Sequence, residues 1–187
     1  MKQKVNPKTY AYIQKIAKVR ASQYDDEKPW GIAFFMMSHP YYYNIRNFWG
    51  VENYIMRKAS FAEFGGLESL DEHIHVLSDM SDIEGEVFLL QSFVYMDQDA
   101  ATFSKEVAAY KRGDTEGLAA FTAQRDREAP FITWRLIEHR NAQWIPRIEN
   151  EMKSGKPTMI VVGARHLCGP HNVIAMLQAR GYKLEQL

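Results

Sequence analysis

The sequence has little of three features that would narrow its function at once: cysteine, net charge and long apolar runs. Its single cysteine, Cys168, excludes an internal disulfide framework and leaves the redox compartment undetermined. The 23 Lys and Arg residues balance the 23 Asp and Glu residues. Because no global positive field attracts phosphates, nucleic acid is not the expected partner.

Long apolar runs are also absent. No stretch of about 18 uncharged apolar residues could span a bilayer, and the first residues contain no run of signal-peptide length. We therefore predict neither a transmembrane segment nor a signal peptide. The bulk composition, with 46% hydrophobic and 25% charged residues, is that of an ordinary folded protein. At 187 residues the chain suffices for one core, so we predict a single domain over residues 1–187.

Helical patterns dominate the first 150 residues. Asn6 before Pro7 is typical of a helix start, and two capping boxes begin at Ser69 and Ser81. Helices are expected at about 7–22, 30–37, 50–60, 70–79, 82–111, 115–124 and from 129 onward. Pro146 predicts a kink or break in the last one near Trp144. The aromatic run HPYYYNIRNFWG could stack nucleobases, but zero net charge favours packing between helices.

The carboxyl end shows a different pattern. The tract TMIVVG is apolar and β-branched, which predicts a buried strand, and a second short strand is expected to begin at Tyr182. Between them, Gly169 and Pro170 restart a helix that Gly181 caps. A short strand or turn is expected over 61–68. The predicted fold class is therefore α/β and α-rich, a helical body with a small, partial β-sheet and a C-terminal β-loop-α-β unit.

The loop after the predicted strand, in MIVVGARHLCGP, is the first candidate site. It follows the carboxyl end of a strand, where open α/β sheets bind ligands. His166 could act there as general base or metal ligand, or could be merely structural. Cys168 is read as a small buried filler rather than a nucleophile. The loop also lacks the lysine followed by Ser or Thr that a phosphate-binding loop needs.

Two other groups of polar residues are candidates for a site. His73 and His75 would share a metal only on a strand, and the capping box at Ser69 predicts a helix, on which they point apart. Arg140 and Asn141 could clamp a carboxylate or orient a histidine, although their spacing alone equally fits a surface ion pair.

The segments in this order resemble the TraB/GumN family, which is related to the TIKI-type metalloproteases. The family pattern is an Arg-Asn-x-x-Trp helix, then a strand ending in Gly-x-x-His-Leu-x-Gly, then Gly-Tyr. The matching residues here are Arg140-Asn141-Ala142-Gln143-Trp144, Gly163 through Gly169, and Gly181-Tyr182. Weaker matches upstream are Lys28-Pro29-Trp30, Gly50-Val51-Glu52, Gly66-Leu67-Glu68 and Tyr110 through Asp114.

The resemblance implies a metal-dependent hydrolase of bacterial type that acts on a peptide or another acyl-type bond. His166 would bind a divalent metal or act as general base, Glu68 would supply a carboxylate, and Arg140 with Asn141 would orient substrate or site groups. Gly163 and Arg165 would contact the substrate. A location in the cell envelope or periplasm follows from the same resemblance.

The family also carries an amino-terminal segment with a first Gly-x-x-His strand, for which the sequence shows no counterpart. We therefore expect a C-terminal portion of a family member, with a partial sheet whose open edge is covered by a second copy or a partner chain. One histidine and one carboxylate are few for a catalytic zinc site. The competing hypothesis is a non-catalytic binding or assembly module.

Overall fold

The computed structural model describes residues 1–16, 24–38, 51–59, 63–96 and 100–186. Within these ranges the regular elements are all helical. The α-helices, in chain order, are α1 (Pro7–Ile16), α2 (Pro29–Ser38), α3 (Val51–Lys58), α4 (Leu70–Ser78), α5 (Asp82–Met96), α6 (Ala100–Lys111), α7 (Thr115–Glu128), α8 (Pro130–Thr133), α9 (His139–Lys153) and α10 (Val173–Ala179). A π-helical turn at Trp134–Glu138 joins α8 to α9, and a 3-10 turn lies at Ala164–Leu167.

Several predicted helix signals have the expected geometry. The Asn6 side chain accepts a hydrogen bond from the Lys8 amide at 2.9 Å. Ser81 and Glu84 form both bonds of their capping box, at 2.8 and 3.2 Å. Gly181 ends α10 with φ of +89°, a left-handed conformation that favours glycine. The residues Asn6, Ser81 and Gly181 therefore mark helix ends, as the local sequence predicts.

Other predicted boundaries differ from the structure. Within the helix expected over 82–111 the structure describes α5 and α6, and residues 97–99 between them lie outside the described residues. Helix α9 continues past Pro146 to Lys153 without a break. The expected end of α1 and the aromatic run HPYYYNIRNFWG lie outside the described residues. None of the described helices combines the length and apolar character needed to cross a membrane.

The predicted α/β fold class is wrong for the part of the chain that the structure describes, which contains no strand and no sheet. Both expected strands of the C-terminal β-loop-α-β unit, in 158–163 and from Tyr182, are irregular, as are residues 63–66. The side chain of Met159 is 73% exposed. A β-branched apolar tract forms a strand only when another strand supplies hydrogen-bond partners. In the described ranges no strand lies beside the tract 158–163 to supply them.

The expectation of a partner chain covering an open sheet edge rested on that sheet. With no sheet among the described residues, there is no edge for a partner to cover, and the argument for a homo-oligomer or partner chain loses its structural basis.

The described residues form two compact units that alternate along the chain. The first consists of Met1–Phe48 and Asp71–Asp99, where α2 packs against α5 at Gly85. A Cβ added at Gly85 would lie 3.3 Å from the Trp30 amide nitrogen, so the glycine allows this close approach. The prediction of one family domain over residues 1–187 stays a prediction.

The second unit consists of Trp49–Leu70 and Ala100–Leu187 and carries the candidate site. Its core lies between α9 and α10. The buried residues of this core are Trp144, Ile145, Ile148, Val173 and Leu177. Trp144 and Ile145 precede Ile148 by four and three residues, and Val173 precedes Leu177 by four, so each set lies on one helical face. This buries the face of α9 next to Arg140.

Candidate functional site

Helix α9 supplies three side chains to the candidate site. Arg140 and Trp144 are four residues apart and share one helical face, with the Arg140 guanidinium carbon 4.8 Å from the Trp144 ring centroid. The π-helical turn before α9 is bonded from the His139 amide to the Trp134 carbonyl, five residues back. Within this turn, the Leu136 carbonyl accepts a hydrogen bond from Arg140 Nη1 at 2.9 Å. The guanidinium is therefore held against the wider turn.

Glu68 reaches the same place from the loop before α4. Its carboxylate accepts two hydrogen bonds from Arg140, from Nη2 at 2.7 Å and from Nε at 3.0 Å, and a third from Trp144 Nε1 at 3.1 Å. The side chains of Glu68 and Arg140 are 16% and 17% exposed. A bidentate pair at this burial is stronger and more directional than a surface ion pair.

Two contacts hold the loop that carries Glu68. Arg147, two turns further along α9, donates a hydrogen bond to the Leu67 carbonyl. Gly66 turns the chain so tightly that an added Cβ would lie 2.7 Å from the carbonyl oxygen of Glu68. The path of the loop thus requires a glycine at position 66, two residues before Glu68.

His166 enters from the 3-10 turn between the irregular tract and α10. Its amide donates to the Gly163 carbonyl at 2.9 Å, and its side chain is buried against Trp144, with the ring centroids 4.4 Å apart. Nδ1 lies 2.7 Å from the Asn141 side-chain oxygen, and the Asn141 amide nitrogen donates to the His171 carbonyl at 2.8 Å. Because the Asn141 oxygen can only accept, Nδ1 carries the proton.

The remaining nitrogen of His166 therefore has a free electron pair. Nε2 lies 3.4 Å from Arg140 Nη1, a group that can only donate. Burial, followed by the Arg140 charge, lowers the pKa of His166 from 6.5 to about 4, while Glu68 opposes the shift. His166 is consequently neutral at pH 7, with Nδ1 as donor and Nε2 as acceptor.

Replacing Gly66 with alanine is expected to lower the free energy of unfolding by about 1–3 kcal/mol, because the new methyl group overlaps a backbone oxygen that cannot move alone. Denaturant unfolding measures the change. Gly65→Ala is the matched control, since nothing lies within 4 Å of a Cβ added there. Equal stability losses in the two variants would contradict the assigned role of Gly66.

The four residues predicted to form the site, Glu68, Arg140, Asn141 and His166, therefore lie in one hydrogen-bonded cluster. Their functional roles stay predictions. Gly163 supplies the carbonyl that begins the turn of His166. Arg165 is directed to α7, where Nη2 donates to both carboxylate oxygens of Asp126 at 2.9 and 3.0 Å.

The other candidates remain outside the cluster. His73 and His75 lie exposed on α4, in the first compact unit, as the helical prediction requires. A side-chain hydrogen bond to Asp79 raises the pKa of His75. The Cys168 side chain is buried and lies 3.8 Å from the Arg165 carbonyl oxygen, which agrees with the filler interpretation.

The donors in the described part of the chain do not fit a divalent metal. No three histidine, cysteine, aspartate or glutamate side chains come together there. The available nitrogen of His166 faces a guanidinium, and the Glu68 carboxylate already accepts three hydrogen bonds. A second cation beside Arg140 would be repelled. The metal-binding role of His166 stays a prediction that this arrangement does not favour.

Two contacts of the site residues were not predicted from the sequence. Trp144 donates to Glu68 and packs on His166, and its position four residues after Arg140 was a usable signal. Asp126 pairs with Arg165 across 39 residues, and no local pattern marks it. Such a long-range pair follows from the packing of α7 against the 3-10 turn.

No curated protein and no solved structure matches the chain. The profile of the TraB/PrgY/gumN family matches residues 1–186, which include Glu68, α9 and the turn of His166. The chain therefore belongs to the TraB/PrgY/gumN family.

Proposed function

We propose that this protein is a hydrolase that cleaves a peptide or another acyl-type bond, with His166 as general base and Arg140 as the donor to the carbonyl oxygen. The observation that carries the proposal is the orientation of His166. The Asn141 side-chain oxygen accepts the hydrogen bond from Nδ1, with 2.7 Å between the nitrogen and the oxygen, so the electron pair of Nε2 is directed at the Arg140 guanidinium. A neutral, oriented imidazole beside a fixed cation suits water activation next to a polarised carbonyl.

The proposed reaction uses both groups in turn. A substrate carbonyl oxygen replaces Nε2 as acceptor for Arg140 Nη1, which releases the electron pair of His166. Nε2 takes a proton from water, the hydroxide oxygen bonds to the carbonyl carbon, and Arg140 stabilises the oxyanion. The imidazolium then passes its proton to the leaving nitrogen as the acyl bond breaks.

Glu68, Asn141 and Trp144 act as positioning residues in this scheme. Glu68 fixes the guanidinium through two hydrogen bonds, and Trp144 fixes the carboxylate through a third. Asn141, with no exposed surface, selects the tautomer of His166. Each of these contacts reduces the reorganisation that the reaction requires.

The test is hydrolysis of a panel of N-acetyl peptide anilides by the full chain. His166→Ala is expected to reduce the rate by about 100–10,000-fold, the usual contribution of a general base. His75→Ala is the matched control, since it removes an exposed histidine from the other compact unit. Thermal unfolding of each variant separates lost chemistry from lost folding.

A chelator added to the wild type distinguishes the proposed mechanism from the metal-dependent one. We expect the rate to be unchanged, because the described donors do not assemble a metal site. Loss of activity that a divalent metal restores would overturn the general-base mechanism. Wild-type activity in His166→Ala, or no hydrolysis of any substrate by the wild type, would overturn the proposed function.

A further inference from the structure

A second feature of the same unit is a cleft over the π-helical turn. It has a volume of about 540 Å³ and is bounded by the end of α7, by α8, by the π-helical turn and by residues 168–171. This volume is in the range of small-molecule sites, about 300–1,000 Å³. The 3-10 turn separates the cleft from the Glu68 cluster, since Arg165 lines the cleft and His166 points to α9.

The walls of the cleft are mainly apolar. Its apolar lining residues include Phe131, Trp134, Ile137 and Pro170. One polar part of the lining is the Arg165–Asp126 pair, in which Asp126 also accepts a hydrogen bond from the Thr133 hydroxyl at 2.7 Å. Because Arg165 and Asp126 neutralise each other, this pair does not favour binding of a charged ligand.

The formal charges around the cleft also balance. Arg127 and Arg165 stand against Asp126 and Glu138, so the lining carries no net charge when His171 is neutral. A charged group would lose hydration against the apolar part of the lining, and the cleft carries no net charge of the opposite sign to compensate for that loss. The occupant that fits this lining is therefore uncharged.

Trp134 indicates the shape of the occupant. Its side chain is 50% exposed, with the ring 4.8 Å from that of His139 at an interplanar angle of 34°. Such an exposed indole in an apolar cleft offers a surface for a planar ring. It also belongs to a π-helical turn, an element that occurs frequently at functional sites.

We propose that this cleft binds an uncharged aromatic group, in the form of an aromatic side chain of the peptide substrate. The assignment to a substrate rests on the proposed hydrolase function, because the 3-10 turn that lines the cleft also carries His166. The binding of the aromatic group rests only on the lining of the cleft. Two measurements therefore test the two statements separately.

The binding test uses the full chain and N-acetyl-phenylalaninamide, an uncharged aromatic probe, in a calorimetric or NMR titration. The wild type is expected to bind it about tenfold more tightly than N-acetyl-alaninamide, and Trp134→Ala is expected to lose about the same factor. Trp134→Phe should retain most of the affinity. Phe64→Ala is the matched control, because Phe64 is 59% exposed and does not line the cleft.

A direct readout avoids dependence on the folding of any variant. The indole N–H resonance of Trp134 in the wild type, assigned with Trp134→Phe, should shift on titration with the aromatic probe. No shift, equal affinity for the two amides, or unchanged affinity in Trp134→Ala would overturn the proposal. Tighter binding of anionic N-acetyl-phenylalanine than of the amide would also overturn it.

The His166→Ala variant distinguishes the two proposals. It should bind N-acetyl-phenylalaninamide like the wild type while hydrolysing peptides at a strongly reduced rate. Binding of the probe without hydrolysis of any substrate by the wild type would remove the proposed function and retain the aromatic site. Hydrolysis with no preference for aromatic peptides would retain the function and overturn the assignment of the cleft to a substrate side chain.

Discussion

Glu68→Gln is expected to lower the free energy of unfolding by about 3 kcal/mol, in the range for breaking a buried ion pair. The substitution keeps the size of the side chain and removes its charge. Arg140 then remains 17% exposed, next to a neutral amide, the Leu136 carbonyl and a neutral His166. A guanidinium cannot lose its proton to relieve this, so the cost is borne by the folded state. Denaturant unfolding at pH 7 measures it.

Glu63→Gln is the matched control for this prediction. Glu63 lies five residues earlier in the same loop and pairs with Lys156 at 3.5 Å, but the side chains are 93% and 74% exposed. We expect no measurable change in stability, because water screens exposed pairs. Equal effects of Glu63→Gln and Glu68→Gln would show that burial of the Glu68–Arg140 pair has no energetic consequence.

A double-mutant cycle separates the pair from its surroundings. Arg140→Met and Glu68→Gln together are expected to cost less than the two single changes added, because the second change removes the charge that the first leaves buried. Strict additivity would contradict the interaction. The same cycle applied to Lys156→Met and Glu63→Gln should be additive within error.

The stability of the wild type is expected to fall by about 2–3 kcal/mol between pH 6.5 and pH 4, relative to His166→Asn. The folded-state pKa of His166 is about 4, and the unfolded value is 6.5. Between these values the unfolded chain binds a proton that the folded protein does not. The contribution is therefore complete above pH 6.5 and is lost as the pH falls toward 4. Denaturant unfolding at a series of pH values measures the difference.

His75→Asn is the control for this pH dependence. His75 is exposed, and its hydrogen bond to Asp79 raises its pKa, so its removal cannot produce a loss of this sign. We expect His75→Asn to follow the wild type through the acid range. If His166→Asn lost stability in parallel with the wild type over the whole range, the buried neutral state of His166 would be refuted.

Local signals in the sequence predicted most of the helices correctly. Asn6 and the capping box at Ser81 depend on bonds that span two or three residues, so their geometry needs no distant partner. The residues of the site cluster could be predicted from the sequence for a related reason. The spacing of Arg140, Asn141 and Trp144 places them on adjacent turns of one helix, and the family pattern pointed to Glu68 and His166.

The predicted strands failed because strand formation is not local. The tract TMIVVG has the apolar, β-branched composition of a buried strand, yet its Met159 side chain is largely exposed. Composition indicates whether a segment can join a sheet. The segment forms a strand only when a neighbouring strand is present to bond with it. Asp126 was missed for the same reason, since its partner Arg165 lies 39 residues away.

The sequence by itself determined the family, most helix positions and the residues of the candidate cluster, because these depend on spacing within a few turns or on a motif. The tertiary structure decided the rest. It showed that the described residues contain no sheet, that Glu68 is held by Arg140 across 72 residues, and that a cleft lies over the π-helical turn. These features depend on which distant segments meet, and that is set by packing of the whole unit rather than by any local pattern.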